Sequence, residues 1–168
     1  MRWIRGSVKG YKDLAIAYHY IQNDKKLKTL AIFLPGAGYH TTSPLFHFTE
    51  EVYLNRGYDV LRVDYRYVDE KYDEFTNEEL YRAVKVDTAA VLDKFFSNHL
   101  YEEVYIVGKS LGTIAMSVEL KKQRFEKAKA IWLTPLINQQ DMLEAMIQNP
   151  HQAFCFIGNQ DRYYSKED

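Results

Sequence analysis

Several common features are scarce in this sequence, and each absence excludes a class of protein. Cys155 is the single cysteine, so an internal disulfide framework is excluded and nothing indicates an oxidising compartment. No run approaches the roughly 18 apolar residues that span a bilayer, and the first residues lack the pattern of a signal peptide. Lys and Arg number 22 against 23 Asp and Glu, which leaves no basic field for nucleic acid. We therefore expect a soluble, cytoplasmic protein that binds neither nucleic acid nor membrane.

The sequence does contain enough apolar residues for one globular core. Of its 168 residues 46% are hydrophobic, and no repeat or linker interrupts them, so we expect a single domain over residues 1–168. Two alternating segments at the start predict an antiparallel hairpin. Apolar strands then alternate with helical segments, which predicts a doubly wound, mostly parallel α/β sheet. The predicted strands are 3–8, 14–21, 29–34, 58–64, 104–107, 130–133 and 153–157, and the predicted helices are 44–56, 77–95, 113–123 and 139–148.

The strongest chemical signal is the pentapeptide Gly108-Lys109-Ser110-Leu111-Gly112, which lies between a predicted strand and a predicted helix. It matches the G-x-S-x-G pattern, in which the serine occupies a sharp turn with its hydroxyl exposed above the sheet. The amide of Leu111 then points at the oxyanion that forms when the serine attacks a carbonyl. A phosphate-binding loop is excluded, because position 103, where that pattern needs a glycine, is a glutamate. Ser110 is therefore the candidate nucleophile.

A second signal is the loop 35–38, with the sequence PGAG, which follows the predicted strand 29–34. We expect it to aim a backbone amide, that of Ala37, at the same oxyanion. The alternative is a dinucleotide-binding fingerprint, since two glycines follow a strand and Asp64 ends the next one. However, Thr41 stands where the third glycine belongs, and Asp64 lies farther along than the roughly 20 residues expected. We therefore expect no cofactor, and the scattered histidines and lone cysteine predict no metal site.

A third signal is Asp161, which follows the last predicted strand across a glycine turn and can orient a catalytic imidazole. Together the segments 35–38, 60–66, 108–112 and 158–161 resemble the α/β-hydrolase superfamily, above all its small, lidless bacterial esterase-like and dienelactone-hydrolase-like members. The resemblance spans residues 29–164 and implies the α/β-hydrolase fold. It also implies acyl transfer from an ester, with Ser110 as nucleophile, Asp161 as acid and the amides of Leu111 and Ala37 as the oxyanion hole.

One piece of that superfamily's pattern is missing, namely the histidine that follows the acid beyond one further strand. Only residues 162–168 follow Asp161, and none is a histidine. A serine without a base is a poor nucleophile, so we expect weak activity or none. The explanation we favour is a C-terminally incomplete version of a longer hydrolase. The others are a non-catalytic binding protein on a hydrolase scaffold, or a substitute histidine, for which His40 is the candidate.

The same resemblance carries expectations about substrate and partners. The short connection before the last strand leaves no room for a lid domain, which favours small ester substrates. Without the missing strand, the apolar strand 153–157 would be an exposed edge, and this predicts a homodimer through it. Aromatic residues near the predicted site either form a substrate rim or cover the sheet edge; they are Tyr39, His40, Tyr65, Tyr67, Tyr163 and Tyr164.

Overall fold

The computed structural model describes residues 1–148, 150, 152–161 and 163–164. The predicted α/β architecture with an N-terminal antiparallel hairpin is confirmed. The strands are β1 (Arg2–Lys9), β2 (Ala15–Gln22), β3 (Thr29–Leu34), β4 (Asp59–Asp64), β5 (Glu103–Lys109), β6 (Lys129–Leu133) and β7 (Ala153–Phe156). The helices are α1 (Pro44–Arg56), α2 (Asn77–Phe96), α3 (Leu111–Glu119) and α4 (Gln140–Ile147), with short 3₁₀ turns at Tyr11–Asp13, Glu70–Tyr72 and Gln123–Phe125.

The described strands form one sheet in the order β1-β2-β4-β3-β5-β6-β7. β1 and β2 pair antiparallel, and β2 pairs antiparallel with β4. From β4 to β7 every neighbouring pair is parallel. The carboxyl ends of these parallel strands therefore meet at one end of the sheet, where ligand sites of open α/β folds are found.

Helices cover the two faces of the sheet unequally. β3 lies between β4 and β5, so all six of its residues are buried, as its continuous apolar sequence predicts. On one face Ile32 belongs to the large core that includes residues of α2 and α3. On the other face Phe33 packs edge-to-face against Phe46 of α1, with ring centroids 5.3 Å apart. At β7 the sheet is not covered in this way by the described residues, and all four residues of this strand are exposed.

Local sequence accounts for both ends of α1 and for the start of α2. Ser43 precedes Pro44 at the start of α1, and Gly57 ends this helix with a left-handed φ of 92°, which a glycine adopts at little cost. Thr76 and Glu79 form a reciprocal capping box at the start of α2. These boundaries agree with the sequence predictions.

The boundaries of α3 differ from those predicted. The helix begins at Leu111, two positions before the predicted start at 113, because the turn from β5 takes only one residue. It ends at Glu119 rather than at 123, because the chain then turns into the 3₁₀ segment Gln123–Phe125. The helix α3 thus starts at the residue immediately after Ser110, the serine of the G-x-S-x-G pattern.

Residues 134–152 connect β6 to β7, and α4 is the only helix among those that the structure describes there. No lid domain is inserted in this described part of the connection. Among the described residues no helix is both long enough and apolar enough to cross a membrane.

A buried ion pair joins α1 to β4 and provides a test of the packing. The Nε and Nη2 atoms of Arg62 both donate to the Glu50 carboxylate, and the two side chains are almost fully buried. We expect Glu50→Gln to lower the free energy of unfolding by about 3–5 kcal/mol, because it leaves the Arg62 charge buried without its partner. Urea unfolding followed by circular dichroism measures this change.

Glu51, the residue after Glu50 in α1, supplies the matched control. It makes only an exposed pair with His47, in which the Glu51 Oε1 and the His47 Nε2 lie 3.6 Å apart. We expect Glu51→Gln to change stability by less than about 1 kcal/mol. Equal effects of the two substitutions would contradict the prediction.

Candidate active site

Ser110 occupies the single position between the end of β5 and the start of α3. Its backbone has φ 48° and ψ −117°, outside the regions that non-glycine residues normally adopt, at a cost of about 1–3 kcal/mol. Two backbone hydrogen bonds hold Ser110 in this conformation. The Ser110 amide donates to the Leu133 carbonyl at 3.0 Å, and the Ser110 carbonyl accepts from the Thr113 amide at 2.9 Å. The chain therefore turns sharply from strand to helix at this serine.

The two glycines of the G-x-S-x-G pattern are required by close approaches. A Cβ on Gly112 would lie 2.1 Å from the carbonyl oxygen of Leu34, and a Cβ on Gly108 would lie 2.7 Å from the Met116 sulfur. The methionine side chain can move, whereas the Leu34 carbonyl is backbone. Gly112 therefore lets the first turn of α3 pack directly against the end of β3.

The loop 35–38 passes beside the serine. A Cβ on Gly36 would lie 3.3 Å from the Ser110 Cβ, so the two backbones are nearly in contact. The Tyr65 hydroxyl donates to the Pro35 carbonyl at 3.0 Å, which ties the loop to the residue after β4. The amides predicted to hold an oxyanion belong to Ala37 and Leu111, the residues that follow this contact on each side.

Asp161 lies on the loop that follows β7. Its Oδ1 accepts the Tyr163 amide at 3.0 Å, and its own amide donates to the Gly158 carbonyl at 3.0 Å. The carboxylate and Ser110 line one cavity of about 380 Å³ at the carboxyl end of the sheet, which is lined by Lys109, Ser110, Thr134, Leu136, Asp161 and Tyr163. The fold thus places the predicted nucleophile and the predicted acid at the same cavity, although the two residues lie far apart in the chain.

No protein-family model matches this chain, and no curated protein matches it in sequence. Solved structures match it in fold. A candidate α/β-hydrolase from Agrobacterium tumefaciens superposes with a TM-score of 0.72 at 21% identity, covering 98% of this chain and 75% of that one. An α/β serine hydrolase homologue from Coxiella burnetii gives 0.72 at 15% identity, with 98% and 77% covered. An esterase from Pyrococcus furiosus gives 0.75 at 15% identity, with 99% and 73% covered.

The chain has the α/β-hydrolase fold. In this fold the serine of the strand–turn–helix motif stands above the sheet, with an oxyanion loop from an earlier strand beside it. The contact between Gly36 and Ser110 matches that arrangement.

Of the aromatic residues expected either to form a rim or to cover the sheet edge, only some lie beside the cavity. Tyr163 lines the cavity, and the Tyr39 ring lies 4.7 Å from the Lys109 Nζ. The placement of Tyr65 and Tyr67 at a rim is wrong, because both side chains are buried. They stack on each other with centroids 4.8 Å apart, and the Tyr67 hydroxyl donates to the buried Asp87 at 2.6 Å. The chain after β4 folds inward at this point, which an aromatic sequence does not distinguish from a rim.

No imidazole is among the residues that line the described cavity. His40, the substitute considered from the sequence, is half-buried in the loop before α1, where its carbonyl accepts the Ser43 amide at 3.0 Å. His151 lies outside the described residues. Among the described residues no group of three His, Cys, Asp or Glu side chains is placed to hold a metal ion.

Sequence reasoning missed three residues of the cavity, of which Lys109 and Thr134 are polar and Leu136 is apolar. The Lys109 Nζ donates to the Thr134 Oγ1 at 3.0 Å, and Thr134 has an unusual φ of 44°. Burial lowers the pKa of Lys109, and the Asp161 charge raises it to a smaller extent. The available signal was positional, because Lys109 is the last residue of the parallel strand β5 and Thr134 follows the last residue of β6. The G-x-S-x-G pattern accepts any residue at position 109 and therefore predicts no role for this lysine.

Proposed function

We propose that the protein is a serine hydrolase that acts on small esters through an acyl-enzyme on Ser110. The observation that carries this proposal is the backbone of Ser110, held at φ 48° and ψ −117° between β5 and α3. Strain of this kind persists only where the surroundings enforce it, and it concentrates at functional sites. The adjoining cavity, which Asp161 also lines, gives a substrate carbonyl a place to meet the hydroxyl.

The proposed reaction has two steps. The Ser110 Oγ attacks the ester carbonyl carbon while its proton passes to a base, and the amides of Leu111 and Ala37 stabilise the oxyanion. The alkoxide leaves with a proton, and water then releases the acyl group from the serine. Asp161 would serve to orient an imidazole.

The described cavity holds no imidazole that could act as the base. Loss of the base costs on the order of 10⁴–10⁶ in rate, and the remaining catalysis comes from the oxyanion hole and binding. We therefore propose weak turnover for this chain. The short connection that holds α4 leaves the site uncovered by a lid in its described part, and this favours small substrates.

Covalent labelling tests the proposal directly. The full chain is incubated with a fluorophosphonate and with p-nitrophenyl acetate, and intact-mass spectrometry and released nitrophenol are followed. We expect a single adduct per chain, located by peptide mapping on Ser110, and slow ester hydrolysis. A chain that is folded but neither labelled nor hydrolytic would favour the second candidate, a non-catalytic binding protein on the hydrolase scaffold, which the cavity without an imidazole supports.

We also propose that two copies of the chain associate through β7. This strand lies at the end of the sheet order, carries no charged residue, and leaves Phe154 and Phe156 57% and 58% exposed. An exposed apolar edge with free amides and carbonyls pairs readily with another strand. We expect light scattering to find a dimer that Phe154→Lys converts to a monomer.

Phe48 provides the control for this substitution, because it is 63% exposed and belongs to α1, a helix that contacts β3 and β4. Phe48→Lys should leave the dimer intact. A wild-type chain that stays monomeric up to high concentration would refute the association.

A further inference from the structure

The ammonium group of Lys109 is an unusual component of the cavity that contains Ser110. It is half-buried, donates to the Thr134 hydroxyl at 3.0 Å, and lies over the Tyr39 ring at 4.7 Å from its centroid. Within the described residues no carboxylate lies closer than 4.0 Å to it. The cation is therefore held in place by a neutral hydroxyl and an aromatic face.

Two other half-buried lysines show the usual arrangement. Lys122 pairs with Glu119 at 2.6 Å, and Lys129 pairs with Glu103 at 2.5 Å. Half-buried charges are normally compensated in this way, because loss of water destabilises an isolated charge. At Lys109 the burial lowers the pKa, and the attraction of Asp161 opposes it without outweighing it. Among the described residues, the positive charge of Lys109 is thus opposed only partly, by the more distant Asp161 carboxylate.

The surrounding backbone adds to that positive character. The nine-residue helix α3 begins at Leu111, beside the cavity, and the amide end of a helix carries a partial positive charge. The Thr134 hydroxyl, which accepts from Lys109, keeps its own proton free to donate to an oxygen of a bound molecule. An ammonium and a hydroxyl donor therefore line the cavity next to the nucleophile, the start of α3 lies beside it, and the Asp161 carboxylate is the negative charge that a bound anion would meet there.

We propose that Lys109 and Thr134 bind a carboxylate on the substrate, so that the preferred ester is a half-ester of a short dicarboxylic acid. This inference rests on the proposed function for its ester, although the binding of the anion does not depend on turnover. The substrate carboxylate would replace the water that the ammonium lost and form a charge-assisted hydrogen bond. Its distance from the scissile carbonyl is limited by a cavity of about 380 Å³.

The test separates binding from catalysis by using ligands that are not hydrolysed. Succinamate carries a carboxylate and an amide, whereas butanamide has the same chain without the charge. Affinities for the full wild-type chain are measured by NMR titration at low ionic strength. We expect succinamate to bind at least about tenfold more tightly than butanamide, the size of effect that a hydrogen bond to a charged group gives.

Variants assign that preference to one residue. Lys109→Met should remove it, so that both ligands bind alike, and Lys109→Arg should retain most of it. Lys127→Met, which removes the same charge from an exposed position, should leave it unchanged. Equal affinities in the wild type, or a preference that survives Lys109→Met, would overturn the proposal.

Ester turnover distinguishes failure of this inference from failure of the proposed function. We expect p-nitrophenyl hemisuccinate to exceed p-nitrophenyl butyrate in kcat/KM, with the ratio lost in Lys109→Met. Hydrolysis without any preference for the hemisuccinate would refute the carboxylate site and leave the hydrolase intact. Lysine-dependent succinamate binding without any hydrolysis would refute the hydrolase and leave the carboxylate site.

Discussion

Ser110→Ala is expected to abolish covalent labelling by a fluorophosphonate and to reduce any ester hydrolysis to the background rate. The substitution removes the nucleophilic oxygen, whereas the backbone of residue 110 keeps its hydrogen bonds to Leu133 and Thr113. The strained φ of 48° remains, so stability should change by less than about 1 kcal/mol. Intact-mass spectrometry and thermal unfolding measure the two quantities on the same samples.

Ser117 supplies the matched control because it lies on α3, the helix that follows Ser110, with its hydroxyl donating to the Ile114 carbonyl at 2.8 Å. Ser117→Ala should leave labelling unchanged. If Ser110→Ala still forms the adduct, another group carries the nucleophilic oxygen and the proposed function is wrong.

Gly112→Ala is expected to have the largest effect on stability of any single methyl group added to this motif. The new Cβ would lie 2.1 Å from the Leu34 carbonyl oxygen and 2.7 Å from the Pro35 carbonyl oxygen. Alanine favours a helix over glycine by about 1 kcal/mol, but overpacking against fixed backbone costs about 1–3 kcal/mol or more. The clash should therefore prevail and move α3 away from β3.

The expected result is a net loss of about 2 kcal/mol in the free energy of unfolding, together with slower labelling of Ser110. Urea unfolding and the labelling rate measure both effects. Gly158→Ala is the control, because no atom of the described residues lies within 4 Å of the added Cβ, and it should be near neutral. A Gly112→Ala variant as stable and as reactive as the wild type would show that α3 packs less closely against β3 than the structure indicates.

The labelling rate of Ser110 also tests whether the protein supplies a base for the serine proton. The turn at Ser110, the loop 35–38 and Asp161 all lie at one end of the sheet, whereas no imidazole is among the residues that line the described cavity. Fast labelling would mean that some group accepts the serine proton. Slow labelling that still requires Ser110 would mean that the oxyanion hole and the strained turn act without a base.

Local sequence predicts many strands, turns and helix ends of this protein, because their formation depends on interactions between neighbouring residues. The buried strand Thr29–Leu34, the capping box at Thr76 and the glycine that ends α1 at Gly57 depend on nearest neighbours, and each was predicted. The same holds for the strand–turn–helix at Ser110, where the glycine spacing reflects a close backbone approach.

Other features depend on contacts between residues that are distant in the chain, and only the folded structure reveals them. Tyr65 is buried under the loop 35–38 because its hydroxyl meets the Pro35 carbonyl, a contact across two strands that no spacing encodes. Lys109 faces Thr134 because β5 and β6 are parallel neighbours that end side by side. Periodicity determines which residues are buried within an element, whereas strand order determines which side chains meet at its end.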